Sequence, residues 1–99
     1  GDLWLRNAQH ANAMAQRLRG AIDAGIADGS ITGVSFTQPT QSNGVFATLP
    51  DGVADALRES FRFYDWDAAR NEVRWMCGFD THEDDVDAFV AELARLTQA

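Results

Sequence analysis

A chain of 99 residues, 45% of them hydrophobic, is long enough for one domain with a modest core, and its net charge of −7 sets it against nucleic-acid phosphates. Fifteen acidic residues outnumber eight basic ones, and no local basic patch overrides that balance. There is no run of about 18 apolar residues to span a membrane, and the start, Gly1-Asp2-Leu3-Trp4, lacks the basic head and apolar run of a signal peptide.

Gly1 resembles nothing functional and reads as a remnant of expression. The lone cysteine, Cys77, excludes an intramolecular disulfide and a cysteine-rich metal knuckle, and it fits a reducing cytoplasm. All eight basic residues are arginine. Arginine grips carboxylates through two nitrogens and stays protonated, so a reaction that needs a lysine amine cannot run on this chain alone.

The first element is a helix from about Leu3 to Gly25. Its apolar stripe is Trp4, Ala8, Ala11, Ala15, Leu18, Ile22 and Ile26, at spacings of three and four. Gly25 and Asp28-Gly29-Ser30 are its stop signals. Two strands follow, Ile31 to Thr37 and Gly44 to Leu49, joined as a hairpin by the turn-rich Pro39 to Asn43. Pro50-Asp51-Gly52 opens a short helix whose apolar side is Val53, Ala56 and Leu57.

A second strand pair is predicted at Phe61–Tyr64 and Glu72–Phe79, with Asp65 to Asn71 as its loop. Thr81 is the expected cap of a last helix, with Asp84 three residues on. Asp80, Glu83, Asp84 and Asp85 place negative charge at the positive end of its dipole. Val86, Phe89, Val90, Leu93 and Leu96 form its inward stripe.

The order α-β-β-α-β-β-α predicts an α+β fold: a two-layer sandwich, with three helices on one face of a four-stranded antiparallel sheet. Val73, Trp75, Cys77 and Phe79 share one side of their strand and are assigned to the helices. Arg74 and Met76 fall on the other side, with Phe46 beside them. A charge among apolar groups is an odd surface for a free-standing domain, and it makes sense as a face that meets another domain.

Several segments in order carry a resemblance. These are Leu3-Trp4-Leu5-Arg6-Asn7-Ala8 with His10-Ala11-Asn12-Ala13-Met14-Ala15, then Asn43-Gly44-Val45-Phe46-Ala47 and Phe63-Tyr64-Asp65-Trp66. Val73 through Thr81 and Glu83 through Phe89 complete the set. Together they resemble the C-terminal small domain of the low-specificity L-threonine aldolases, β-eliminating lyases of the fold-type I pyridoxal-phosphate group. The resemblance implies an intact enzyme that cleaves β-hydroxy-α-amino acids to glycine and an aldehyde. It implies pyridoxal phosphate held by a lysine of a preceding large domain, absent here, and a homo-oligomer. It also implies that Arg74 is the arginine that grips the substrate α-carboxylate, and that residues 1–99 are inactive alone.

Each site residue also has a plainer reading. Arg74 is otherwise a solvated strand arginine, or one paired with Glu72. Arg62 reads as an edge-strand surface charge and His10 as a structural histidine. His82 with Asp80 and Glu83 matches no metal-ligand spacing, because the helix N-terminus already explains the acids. Cys77 reads as core, and so does Trp75, with Trp66 at the turn. The competing function is an independent small α+β module that binds a ligand or dimerises through its free sheet face.

Overall fold

A computed structural model describes residues 2–98, so Gly1 lies outside the described residues. The elements are α1 (Leu3–Asp28), β1 (Ser35–Phe36), β2 (Gly44–Thr48), α2 (Val53–Arg58), β3 (Tyr64–Asp67), a 3-10 turn (Ala68–Arg70), β4 (Glu72–Met76) and α3 (Glu83–Thr97). The strands form one antiparallel sheet in the order β1-β2-β4-β3. The α+β architecture and the element order are those predicted.

The central pair β2–β4 sets the two faces. Val45 lies opposite Trp75 and Ala47 opposite Val73, and all four are buried. Against them pack Leu18 and Ile22 of α1, Leu57 of α2 and Leu93 of α3, which makes one continuous core. Trp75 meets the Phe89 ring edge-on at 4.9 Å, and Phe61 meets Phe89 at 5.0 Å. Such pairs add about 0.5–1.5 kcal/mol beyond the area they bury.

Several boundaries differ from the sequence expectation, each for a local reason. Helix α1 passes through Gly25 and stops at Gly29, whose φ of 85° is the left-handed conformation that ends helices. Gly25 is there for contact: a Cβ on it would come within 2.6 Å of the Ile31 side chain. The first turns of α1 run past the sheet, so Trp4 is 71% exposed, and Ala8 and Ile26 also leave the buried stripe.

The predicted strand Ile31–Thr37 is reduced to two residues. Ile31 and Val34 are buried, but the backbone between them is tied to the end of α3. There the Thr32 hydroxyl donates to the Thr97 carbonyl at 2.5 Å. Phe61 and Phe63, expected in a strand, are loop residues folded onto Phe89 and Trp75, and pairing starts only at Tyr64. The expected loop Asp65–Asn71 therefore supplies most of β3. Strand β4 ends at Met76, so Phe79, assigned to the core, is 67% exposed. The last cap is His82, not Thr81: the Asp85 carboxylate accepts from the His82 N–H at 2.9 Å, while Thr81 closes a turn with Gly78.

The two glycines inside α1 separate helix propensity from packing. A Cβ at Gly20 meets nothing within 4 Å. Gly20→Ala is expected to stabilise the domain by about 0.5–1 kcal/mol. Gly25→Ala is expected to destabilise it by about 1–3 kcal/mol, because Ile31 has to shift within a packed core. Urea unfolding midpoints of the two variants should move in opposite directions.

Candidate functional site

The outer face of the sheet is built around Arg74. Cross-strand pairing places Phe46 of β2 on one side of it and Tyr64 of β3 on the other. Alternation along β4 puts Glu72 and Met76 on the same face. Trp66 shares the face of Tyr64 and is left unpaired by a register shift between Asp65 and Asp67. Its ring lies 5.5 Å from the Arg74 guanidinium carbon and meets the Phe46 ring edge-on at 5.0 Å.

Arg74 is half-buried, and its Nε is fully buried without a hydrogen-bond partner. Among the described residues, the guanidinium makes no hydrogen bond and no ion pair. Two acids of the adjoining positions are engaged elsewhere. Glu72, 5% exposed, accepts from the Thr37 hydroxyl at 2.6 Å, and Asp65 is bonded by Arg58. The pairing of Arg74 with Glu72 that a surface strand suggests is therefore not formed. An arginine held by aromatic rings with its fork uncommitted can take a carboxylate or phosphate through two parallel hydrogen bonds.

The other sequence candidates go elsewhere. Arg62 precedes β3 and is exposed, on the rim of a cleft of about 160 Å³ whose walls include Phe61, Trp75 and Phe89. His10 Nε2 donates to the Thr81 carbonyl at 2.5 Å and so ties α1 to the approach of α3. His82 caps α3, and Glu83 lies 3.7 Å from Arg17, whose guanidinium also bonds Asp87. Cys77 is buried next to the sheet, with its carbonyl bonded by the Asn43 side chain at 2.9 Å. Trp75 is core. Trp66 is the residue that sequence reasoning misplaced, as it belongs to β3 and not to the turn. The signal for it was the two-residue spacing of Tyr64 and Trp66, which continues the strand alternation into the segment read as loop.

This geometry defines a class: a helix-backed antiparallel sheet that presents one aromatic-supported arginine on its open side. No protein-family model matches the chain. It is similar over 97% of its length, at 36% identity, to the "Low specificity L-threonine aldolase" of Pseudomonas sp. (strain NCIMB 10558), of which it spans 26%. The protein of that name from Pseudomonas aeruginosa is 40% identical over 95% of this chain, which spans 24% of it. The chain thus covers about a quarter of the length of these relatives, and the resemblance read from the ordered motifs holds for that segment. No helix among the described residues is long and apolar enough to cross a membrane.

Burial pushes the Cys77 thiol pKa up, because an apolar surrounding disfavours the thiolate. The stabilisation of the neutral thiol is present at neutral pH and is lost as pH rises through the raised value. Alkylation of Cys77 in the native chain is expected to run at least about tenfold slower than in the denatured chain. A thiol-reactive chromophore read at fixed pH checks this, and equal rates would remove Cys77 from the core.

Proposed function

We propose that this chain is the C-terminal small domain of a threonine-aldolase-type lyase and that Arg74 binds the α-carboxylate of the amino-acid substrate. The observation that carries this reading is the uncommitted guanidinium on the open sheet face, with Glu72 and Asp65 bonded to other groups. The names of the two relatives support a threonine-aldolase lyase as the class, and the resemblance implies cleavage of a β-hydroxy-α-amino acid to glycine and an aldehyde.

The cofactor of that class is pyridoxal phosphate, which withdraws electrons from the substrate's Cα when bound. The residues here do not fit the task of holding it, since all eight basic side chains are arginine and a cofactor-holding lysine is lacking. That group would belong to a large domain corresponding to the remaining three-quarters of the relatives. What this chain contributes is orientation. A carboxylate held at both oxygens fixes Cα and the direction of its bonds, and such positioning lowers the entropic part of a barrier. Alone, the chain is inactive in this reading.

A chimera tests the assignment directly. This chain replaces the matching segment of the Pseudomonas aeruginosa protein, and L-threonine cleavage is followed. Arg74→Ala is expected to lower kcat/KM by about 100-fold or more, equivalent to about 3 kcal/mol of lost charged hydrogen bonding. Arg74→Lys is expected to recover only part of it, because an ammonium lacks the planar fork. Unchanged kinetics in Arg74→Ala, with the cofactor's absorbance retained, would remove the assigned role.

The same reading includes a homo-oligomer and a sheet face that another domain covers. The isolated chain, with Met76, Trp66 and Tyr64 exposed on that face, is therefore expected to self-associate through the surface bearing Phe46, Arg74 and Met76. Sedimentation over a range of concentrations measures this, and a strict monomer that binds no apolar dye would count against a covered face.

A further inference from the structure

Resting on the carboxylate-binding role of Arg74, we propose that Trp66 is a positioning residue that holds the guanidinium in its binding orientation. Three observations meet at this residue. The Arg74 guanidinium carbon stands 5.5 Å from the indole ring, within the range at which a cation is attracted to an aromatic face. The indole is itself fixed from the side by the edge-on ring of Phe46 at 5.0 Å, on the strand opposite. And Trp66 shares the face of Tyr64 by strand alternation, while the register shift between Asp65 and Asp67 leaves it without a partner on β4. Bulges of this kind leave one residue unpaired, and here that residue is the one whose ring lies near Arg74.

The need for such a support follows from the surroundings. The chain has fifteen acidic residues, and Glu72 lies two positions from Arg74 on the same face, with Asp67 across from it. An arginine with free rotation would sample ion pairs with an acid such as Asp67 and bind a substrate less often. Arg74 Nε is buried, and an indole within cation–π range of the guanidinium limits the region the side chain samples. Trp66 is 53% exposed, so its ring has another face available to whatever covers the sheet.

The experiment has one arm in this chain and one in the chimera. In the isolated chain, the Arg74 Nε–H and side-chain methylene resonances are read by NMR. The expectation is an upfield ring-current shift and slowed exchange of Nε–H, both lost in Trp66→Ala and kept in Trp66→Phe. In the chimera, Trp66→Ala is expected to raise KM for L-threonine about tenfold with kcat changed less, and Trp66→Phe to restore most of it. In an Arg74→Ala background, Trp66→Ala should add little, since the two act as a unit.

If Arg74→Ala raises KM but Trp66→Ala does not, Trp66 has no positioning role and the carboxylate reading stands. If Trp66→Ala costs the same with and without Arg74, its role is structural and the proposal is overturned. If Arg74→Ala itself is silent, the carboxylate reading fails and this proposal fails with it.

Discussion

The register of β2 against β4 is the constraint on which the rest depends. Five residue pairs, from Gly44 with Met76 to Thr48 with Glu72, fix it. Because side chains alternate, this register sends Val45, Ala47, Val73 and Trp75 to the helices and leaves Phe46 and Arg74 as a direct cross-strand pair outside. A slip of one residue would place the guanidinium in the apolar core and lift Trp75 into water. The core thus enforces the position of the arginine: the burial that stabilises the fold also aims the charged group away from it.

Much of this was legible in the sequence because it rests on periodicity. The alternation of Val73, Arg74, Trp75 and Met76 defines two faces without any knowledge of tertiary contacts. The stripe of α3, with Val86, Phe89 and Leu93 buried, follows from helical spacing alone. The misreadings occur where a distant contact overrides the local pattern. Phe61 and Phe63 alternate like strand residues, but Phe89 and Trp75 draw them into the core as loop. Ile31 and Val34 look like a strand, yet the bond of Thr32 to Thr97, 65 positions away, holds their backbone outside the sheet. Phe79 continues the alternation of β4 on paper, but the strand has already ended.

The candidate site was half legible for the same reason. Arg74 could be placed on the open face by counting in twos. Its support by Trp66 depends on β3 running on through Asp67, in a segment that reads as loop although Tyr64 and Trp66 keep the strand spacing. The engagement of Glu72 with Thr37 and of Asp65 with Arg58 also involves other elements, and it is this engagement that separates a free binding group from an ordinary surface ion pair. A chain whose eight basic residues are all arginine offers permanent, directional charge and no lysine amine.

Helix α1 has a mechanical consequence. Its 26 residues extend about 39 Å at about 1.5 Å per residue, in a molecule measuring 48 × 28 × 25 Å. It is seated against β2 and α3 from about Ala11 onward, while Leu3, Trp4 and Leu5 project into solvent. It is therefore a stiff lever with its fulcrum beside the strand that faces Arg74. The seven residues from Trp4 to Ala11 make an arm of about 10 Å, so a tilt of about 3° at Ala11 displaces the Trp4 end by about 0.5 Å. Whatever meets those three side chains therefore touches the domain beyond its packed core, on a stretch of rod that the sheet does not cover.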